Sequence, residues 1–384
     1  MKRLDEFFEK YPLISLATSA DQDKIFDLLE RTSLKAGGLH VGFDRRPDFF
    51  TFLKNQGPKA FVFLMNNENG EVHGLACMSV RPMLKGTKTV SVAYASDLRT
   101  TPQLSRSARM QWRDMYAELI KLMPTLPEFE RPEAVLTAVW NDNEPAQRAL
   151  VRKSSKLQVE YSPISEYTAL SVLGRLVLKK SPYIREALPE DRDLIFKWIC
   201  GPARENGLAW NHEEFLRTLA QLGREPEDFL IYQKDGQVEA IALAASSLPG
   251  RKVILHSLPK SLIWLGRLLK VLFGLKVVLG EELRTQSLLF FRARKSEQSQ
   301  ELMKAYLHYL MEQERHLHRS ERTQVYALFF WGEQKGLVSN FLKSGFISTS
   351  LGAKVYNVIP KRTEDTRPQE TTSLHLEQLE VGLL

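Results

Sequence analysis

The sequence predicts an α/β (α+β) fold of two consecutive domains, each a mixed, mostly antiparallel central sheet flanked by helices, and three observations carry that expectation. The chain has 384 residues, more than one hydrophobic core ordinarily organises and enough for two. Its halves match each other: Ala17-Thr18-Ser19-Ala20-Asp21-Gln22-Asp23-Lys24-Ile25-Phe26 returns 170 residues later as Ala187-Leu188-Pro189-Glu190-Asp191-Arg192-Asp193-Leu194-Ile195-Phe196, with Ala, Asp, Asp, Ile and Phe in register. Each half then runs through the same order of periodicities: strand, helix, helix, hairpin, strand, long helix, strand.

The first helix is announced by Ser19 as a capping residue ahead of apolar Ile25, Phe26, Leu28 and Leu29. Apolar runs over 60–64 and 72–79 flank a turn ending Asn69-Gly70, and runs over 228–232 and 238–246 flank Asp235-Gly236. Asn-Gly and Asp-Gly tolerate the positive φ that a tight hairpin needs. A strand over 89–98 leads to Trp112, Met115, Tyr116, Leu119, Ile120 and Met123, spaced three and four apart on one helix face. In the second half a strand over 287–291 leads to Leu302, Met303, Tyr306, Leu310 and Met311. Last strands are expected over 134–140 and 324–331. These stripes report core packing rather than chemistry.

An apolar run ends in Lys179-Lys180-Ser181-Pro182, which divides the chain into an N-terminal domain at 1–180 and a C-terminal domain at 181–360. Residues 361–384 begin polar and aperiodic and read as a flexible tail, with the pattern of a short docking helix at their end. The opening residues lack the apolar core and cleavage site of a signal peptide, and Cys77 and Cys200 make neither a disulfide framework nor a zinc set. A cytoplasmic protein is therefore expected. A net charge of +7 favours an anionic ligand without choosing between a polyphosphate cofactor, a nucleic acid and an anionic membrane. No Gly-x-x-x-x-Gly-Lys-Ser/Thr, His-Glu-x-x-His or Cys-x-x-Cys occurs, and no metal is expected.

Two stretches carry a family resemblance. Residues 96–110, Ser-Asp-Leu-Arg-Thr-Thr-Pro-Gln-Leu-Ser-Arg-Ser-Ala-Arg-Met, resemble the stretch of the GNAT (Gcn5-related N-acetyltransferase) superfamily in which a strand end and a proline precede Arg/Gln-x-x-Gly-x-Gly/Ala. Ser105 falls at the first motif position, Ala108 at the first glycine and Met110 at the last. Asn143 with Ala146 resembles the family's Asn-x-x-Ala helix start, and the order of elements resembles the GNAT plan in both halves. The resemblance implies acyl transfer from acetyl-CoA or another acyl-CoA to the amine of a small molecule or peptide. The cofactor would lie along Leu98, Arg99, Thr100, Ser105, Arg106, Ser107, Ala108, Arg109 and Met110, with Asn143 at the pantetheine arm.

Glycines belong in such a loop because backbone N–H groups at a helix start must approach phosphate oxygens closely. With both glycines replaced, Arg106, Arg109 and Arg113 either bond the phosphates or form a solvated helix start. Asn143 likewise either contacts the pantetheine or caps its helix. The resemblance implies backbone donors for the oxyanion at Leu98, Arg99 and Thr100. Leu150 stands where the family places a tyrosine that protonates the thiolate, which leaves Tyr94 as a candidate acid. Asp97 is the one carboxylate on the strand, either a general base or a turn residue and salt-bridge partner.

The acceptor is expected against the segment between the first two helices, where His40, Asp44 and Asp48 would line a cleft for a cationic amine beside a mobile loop with Gly37 and Gly38. In the second half the loop after the strand lacks glycine, Gln334 replaces the asparagine and Phe341 the tyrosine, so that half is expected to be structural. The basic, apolar stretch over 261–279 has the composition of a segment buried between the domains or lying on a membrane surface. Other readings stay open: a catalytically degenerate module that binds a ligand or membrane surface, and an aminoacyl-tRNA-dependent transferase like the Fem proteins. Nucleic acid is not the expected partner, and the sequence leaves the oligomeric state open.

Overall fold

The computed structural model of the chain describes residues 2–32, 34–36, 39–151, 158–177, 179–202, 207–246, 248–257, 279–318, 321–332, 334–361 and 376. The N-terminal half runs α1 (Lys2–Phe8), β1 (Ile14–Leu16), α2 (Gln22–Arg31), β2 (Leu34–Ala36), β3 (Leu39–Asp44), α3 (Phe49–Gln56), β4 (Lys59–Asn66), β5 (Val72–Lys85), β6 (Lys88–Thr100), α4 (Arg106–Leu122), β7 (Ala134–Trp140), α5 (Glu144–Ala146) and β8 (Val159–Arg175). The C-terminal half runs β9 (Ile184–Glu186), α6 (Arg192–Ile199), β10 (Leu208–Trp210), α7 (His212–Gln221), β11 (Phe229–Lys234), β12 (Gln237–Ser246), β13 (Lys252–Ser257), β14 (Glu282–Leu283), β15 (Thr285–Ala293), α8 (Ser299–Gln313), β16 (Val325–Trp331), α9 (Leu337–Lys343) and β17 (Phe346–Pro360). The expected elements form in the expected order, in an α/β (α+β) arrangement.

Local chemistry explains the boundaries. The turn before α2 is capped by Thr18 rather than Ser19: its hydroxyl accepts from Ala20 N–H, and Asp21 bonds back to the Thr18 backbone. The hairpin turns sit where positive φ was required, at Gly70 (82°) and at Asp235 and Gly236 (50° and 76°). The stripe on α4 buries Met115, Leu119 and Ile120 against Phe63, Met78 and Ala93 of the sheet. Its counterpart on α8 buries Leu302, Met303, Tyr306 and Leu310 against Leu230, Ala240 and Leu288. Each such side chain contributes at most about 1.5–3 kcal/mol of burial free energy.

The halves do not close two separate sheets. One 13-stranded sheet runs β1-β4-β5-β6-β7-β17-β8-β16-β15-β12-β11-β9, with β10 added beside β5. The last strand of each half sits in the other's sheet: β17 pairs antiparallel with β7 (Ala353↔Trp140 to Asn357↔Leu136), and β8 pairs antiparallel with β16 (Val172↔Tyr326 to Tyr167↔Trp331). Down the middle β8 and β17 pair along almost their whole length, from Arg175↔Phe346 to Val159↔Pro360. Tyr167 lies at this seam between Trp140 and Trp331, with ring centroids 5.7 and 6.2 Å away.

A second, four-stranded sheet, β14-β13-β3-β2, also joins the halves. This corrects one expectation. Instead of a mobile loop, residues 39–44 form a strand that pairs with β2 on one side and with β13 of the C-terminal half on the other, Lys252 facing Asp44 and Val253 facing Phe43. The stretch 261–279 is the connection between β13 and β14 and, except for Leu279, lies outside the described residues, as do Gly37, Gly38 and the tail after Lys361 apart from Leu376. Leu376 is buried in a cluster with Tyr94, Leu136, Tyr167 and Val355.

Candidate active site

Two irregularities of β6 coincide. On one side, its parallel pairing with β7 runs from Val92↔Ala134 to Ala95↔Thr137 and stops, although β6 continues to Thr100 and β7 to Trp140. On the other, the register against β5 jumps from Leu75↔Arg99 to Cys77↔Ser96, so that Asp97 and Leu98 together oppose Ala76. That is a β-bulge, and it places Asp97 at a φ of 54°. A bulge bends the strand that carries it, and the bend falls where β6 parts from β7. Beyond this point the two strand edges no longer pair with each other, an arrangement in which an extended ligand can lie as a strand would.

The bulge is charged on the face covered by α2 and α3. Asp97 accepts from Arg45 Nη2 at 2.7 Å and lies 3.6 Å from Arg99 Nη2, the side chains of both arginines being less than a tenth exposed. Burial raises the Asp97 carboxyl, but the adjacent Arg45 and Arg99 outweigh it and hold the group below its ordinary value. A carboxylate held ionised between two guanidiniums is a weak base. Arg251, just ahead of β13, is drawn to the same cluster, where burial first, and then the neighbouring Arg45, pulls its guanidinium down to about 10. Tyr94 is buried with Leu136, Tyr167 and Val355 and accepts from the Ala138 backbone N–H, and burial pushes its phenol well above the usual range. It can donate a hydrogen bond at neutral pH, whereas it gives up its proton reluctantly.

Of the three expected backbone donors, Arg99 and Thr100 oppose Leu75 and Gly74 in the ladder, while Leu98 shares Ala76 with Asp97 in the bulge and is 41% exposed. The Arg99 guanidinium donates to the Thr32 carbonyl at 3.2 Å. Ser105 caps α4, its hydroxyl accepting from Ala108 N–H at 3.1 Å. The Ser105 N–H donates to Asn67 at 2.8 Å, and its hydroxyl lies 3.2 Å from the Glu68 carboxylate. Ala108 is fully buried, Met110 points outward at 45% exposure, and Arg106 and Ser107 are exposed. Arg109 donates to the Pro102 carbonyl, and Arg113 pairs with Asp114. Asn143 caps α5, accepting from Ala146 N–H at 3.2 Å, and half-buried Leu150 follows seven residues after it.

The residues expected at the acceptor make local contacts. Asp44 accepts from the Arg46 backbone N–H at 3.1 Å, and Asp48 caps α3 through Phe50 N–H at 2.9 Å. His40 lies on β3, and its side chain is outside the described residues. The charged residue of this segment that faces inward is Arg45, which the sequence does not single out, nor Arg251 and the Phe52 ring that both guanidiniums approach. The adjacent Arg45-Arg46 pair inside an aromatic run was the available signal.

The C-terminal half repeats the geometry without the charge. β15 pairs parallel with β16 only from Thr285↔Val325 to Ser287↔Ala327, and its register against β12 jumps from Leu243↔Leu289 to Ile241↔Arg292. Phe290 takes the bulge with a φ of 51°, its ring fully buried against Trp210 and Phe215, both 5.2 Å between centroids. An apolar core occupies the place held by Asp97 in the first half.

No family model matches the sequence, and no curated protein matches it. Among solved structures, the chain is similar to Saccharomyces cerevisiae N-myristoyltransferase with bound myristoyl-CoA, at 14% identity and a TM-score of 0.51 over 95% of this chain and 84% of that one. Another structure of that enzyme with bound myristoyl-CoA gives 13% identity and a TM-score of 0.51 over 95% of this chain and 89% of that one. A GCN5-related glucosamine N-acetyltransferase region of a fungal multi-domain GH3 β-N-acetylglucosaminidase gives 13% identity and a TM-score of 0.52 over 88% of this chain and 38% of that one. At such identities the likeness is one of fold: the chain has the GNAT fold, as its sequence led one to expect.

Proposed function

We propose that the protein is an acyl-CoA-dependent N-acyltransferase that binds its thioester in the V between β6 and β7 of the N-terminal half and transfers the acyl group to an amine. The observation that carries this reading is the coincidence of the bulge at Asp97–Leu98 with the end of the β6–β7 pairing. A pantetheine arm laid between the strands would meet the edge of β6 beyond Ala95 on one side and that of β7 beyond Ala138, whose N–H Tyr94 takes, on the other. The thioester carbonyl would lie beside Leu98, whose backbone the ladder leaves unmatched, and an N–H there would stabilise the tetrahedral oxyanion. The acceptor amine must lose a proton, and with Asp97 ionised between arginines that proton goes to water. Tyr94 would hydrogen-bond the departing thiolate.

The residues fit the pantetheine part of acyl-CoA better than its phosphates. At the start of α4 the Glu68 carboxylate stands 3.2 Å from the capping hydroxyl, where it opposes a pyrophosphate that the helix dipole and exposed Arg106 would favour. The fold neighbours crystallised with myristoyl-CoA make a long acyl chain as reasonable a donor as acetyl. The cytoplasmic setting we propose with it rests on two free cysteines, Cys77 buried and Cys200 half-buried.

Thermal-shift titration with acetyl-CoA, myristoyl-CoA and CoA tests the reading. A ligand at a hundredfold its Kd adds about 2.7 kcal/mol to stability, which raises Tm by several degrees. At least one CoA ester should do so in the wild type, and the shift should shrink in the Asn143→Ala, Arg106→Glu double variant. No shift with any ester overturns the proposal.

A further inference from the structure

We propose that Arg45 and Arg251 form a carboxylate-recognition site beside the bulge, and that it holds an acidic group carried by the acyl acceptor; the assignment to the acceptor rests on the acyltransferase reading above. The pairing of β3 with β13 creates the site. Lys252 faces Asp44 in that antiparallel register, so the residues next along, Arg251 and Arg45, come side by side. Both guanidiniums lie over one phenyl ring, with Arg45 4.5 Å and Arg251 4.9 Å from the Phe52 centroid. Each has a second ring beneath it, Phe49 for Arg45 and Phe43 for Arg251, both at 4.9 Å.

The charges in this cluster do not balance. Arg45, Arg99 and Arg251 face one carboxylate, Asp97, which is taken up by Arg45 Nη2 and by Arg99. Arg45 Nη1 is buried without a hydrogen-bond partner, on a side chain only 4% exposed. Arg251 makes no side-chain hydrogen bond or ion pair among the described residues, although burial lowers its guanidinium. Arg251 is half-buried, whereas the Arg45 guanidinium is removed from water with one end unpaired, which is costly, and the cost falls when an anion arrives. Stacking on Phe52 holds the two planar forks in place in advance, which suits a planar, bidentate carboxylate. The arginines reach the bulge through Asp97, which pairs with Arg45 and neighbours Leu98, itself 41% exposed. A carboxylate there would set the acceptor's amine a short chain away, at the thioester.

An acceptor held in this way differs from the cationic amine expected beside His40, Asp44 and Asp48. Asp44 and Asp48 bond to the backbone N–H groups of Arg46 and Phe50.

The test uses the full chain, with malonate as probe and succinamide and matched sodium chloride as controls. Malonate should raise Tm by about 2–5 °C beyond the controls in the wild type, and this shift should vanish in Arg251→Gln, which removes the charge and keeps a polar, shorter side chain. The shift given by a CoA ester should be equal in both, showing that the variant is folded. In a thiol-release assay, amines bearing a carboxylate should exceed their amides about tenfold in kcat/KM, and Arg251→Gln should erase that preference through KM, with partial recovery in Arg251→Lys. A malonate effect that survives Arg251→Gln, or none at all, overturns the anion site. Malonate stabilisation without any CoA-ester shift in the wild type instead overturns the acyltransferase reading, and with it the assignment to an acceptor.

Discussion

At the scale of single residues, Asp97 does two jobs that pull against each other, since it bends β6 through a left-handed backbone conformation and counters the charge of two buried guanidiniums. Asn tolerates the same conformation as Asp, so Asp97→Asn removes the charge while leaving the bulge. Breaking a buried ion pair from one side costs roughly 3–5 kcal/mol, because the partner stays buried and uncompensated. Urea unfolding of Asp97→Asn should show a loss of that size, a large share of the 5–15 kcal/mol typical of a folded domain. A loss below about 1 kcal/mol would mean that the arginines are solvated and the pair is worth no more than a surface one. Asp97 was visible in the sequence as the one carboxylate on its strand. Arg45 and Arg251 were not seen as a pair, since 206 positions separate them and only the β3–β13 register brings them together.

At the scale of elements, periodicity gave α4 and α8 their core faces but missed how completely α8 is enclosed. Besides its apolar stripe, α8 buries Lys304, bonded to Asn340 of α9 at 3.0 Å, and His308, whose ring lies 4.6 Å from that of Phe346 at the start of β17. A single-face pattern cannot register polar residues covered by strands and helices arriving from later in the chain. Burial, with Arg175 and Lys179 adding to it, lowers His308 from 6.5 to about 4. The unfolded chain therefore takes up a proton at this position in a range where the folded one does not. Stability from this group is fully present above pH 6.5, falls as pH drops toward about 4, and changes no further below that. Urea midpoints between pH 7 and 4 should decline less steeply in His308→Phe than in the wild type, and identical slopes would show that His308 protonates freely in the fold.

At the scale of the whole molecule, the repeat was legible because hairpin turns and helix starts are local signals, whereas the exchange of last strands was not. Nothing in an apolar strand such as β8 or β17 states which edge it will join, and the two are similar enough in length to serve either. The consequence is energetic. A fragment of residues 1–180 would keep β7 but lose β17, exposing the edge from Leu136 to Trp140, and would leave β8 without either neighbour. A long unpaired apolar edge promotes aggregation, and a strand stripped of both ladders has no sheet to join. The halves should therefore behave as one cooperative unit despite their repeat. Residues 1–180 expressed alone should be insoluble or lack dispersed amide resonances, as should 181–384, while co-expression of the two should give a soluble complex with a single thermal transition. Independent folding of either fragment with a sharp transition would show that each half satisfies its own sheet edge, with its last strand folded back in place of the exchanged one.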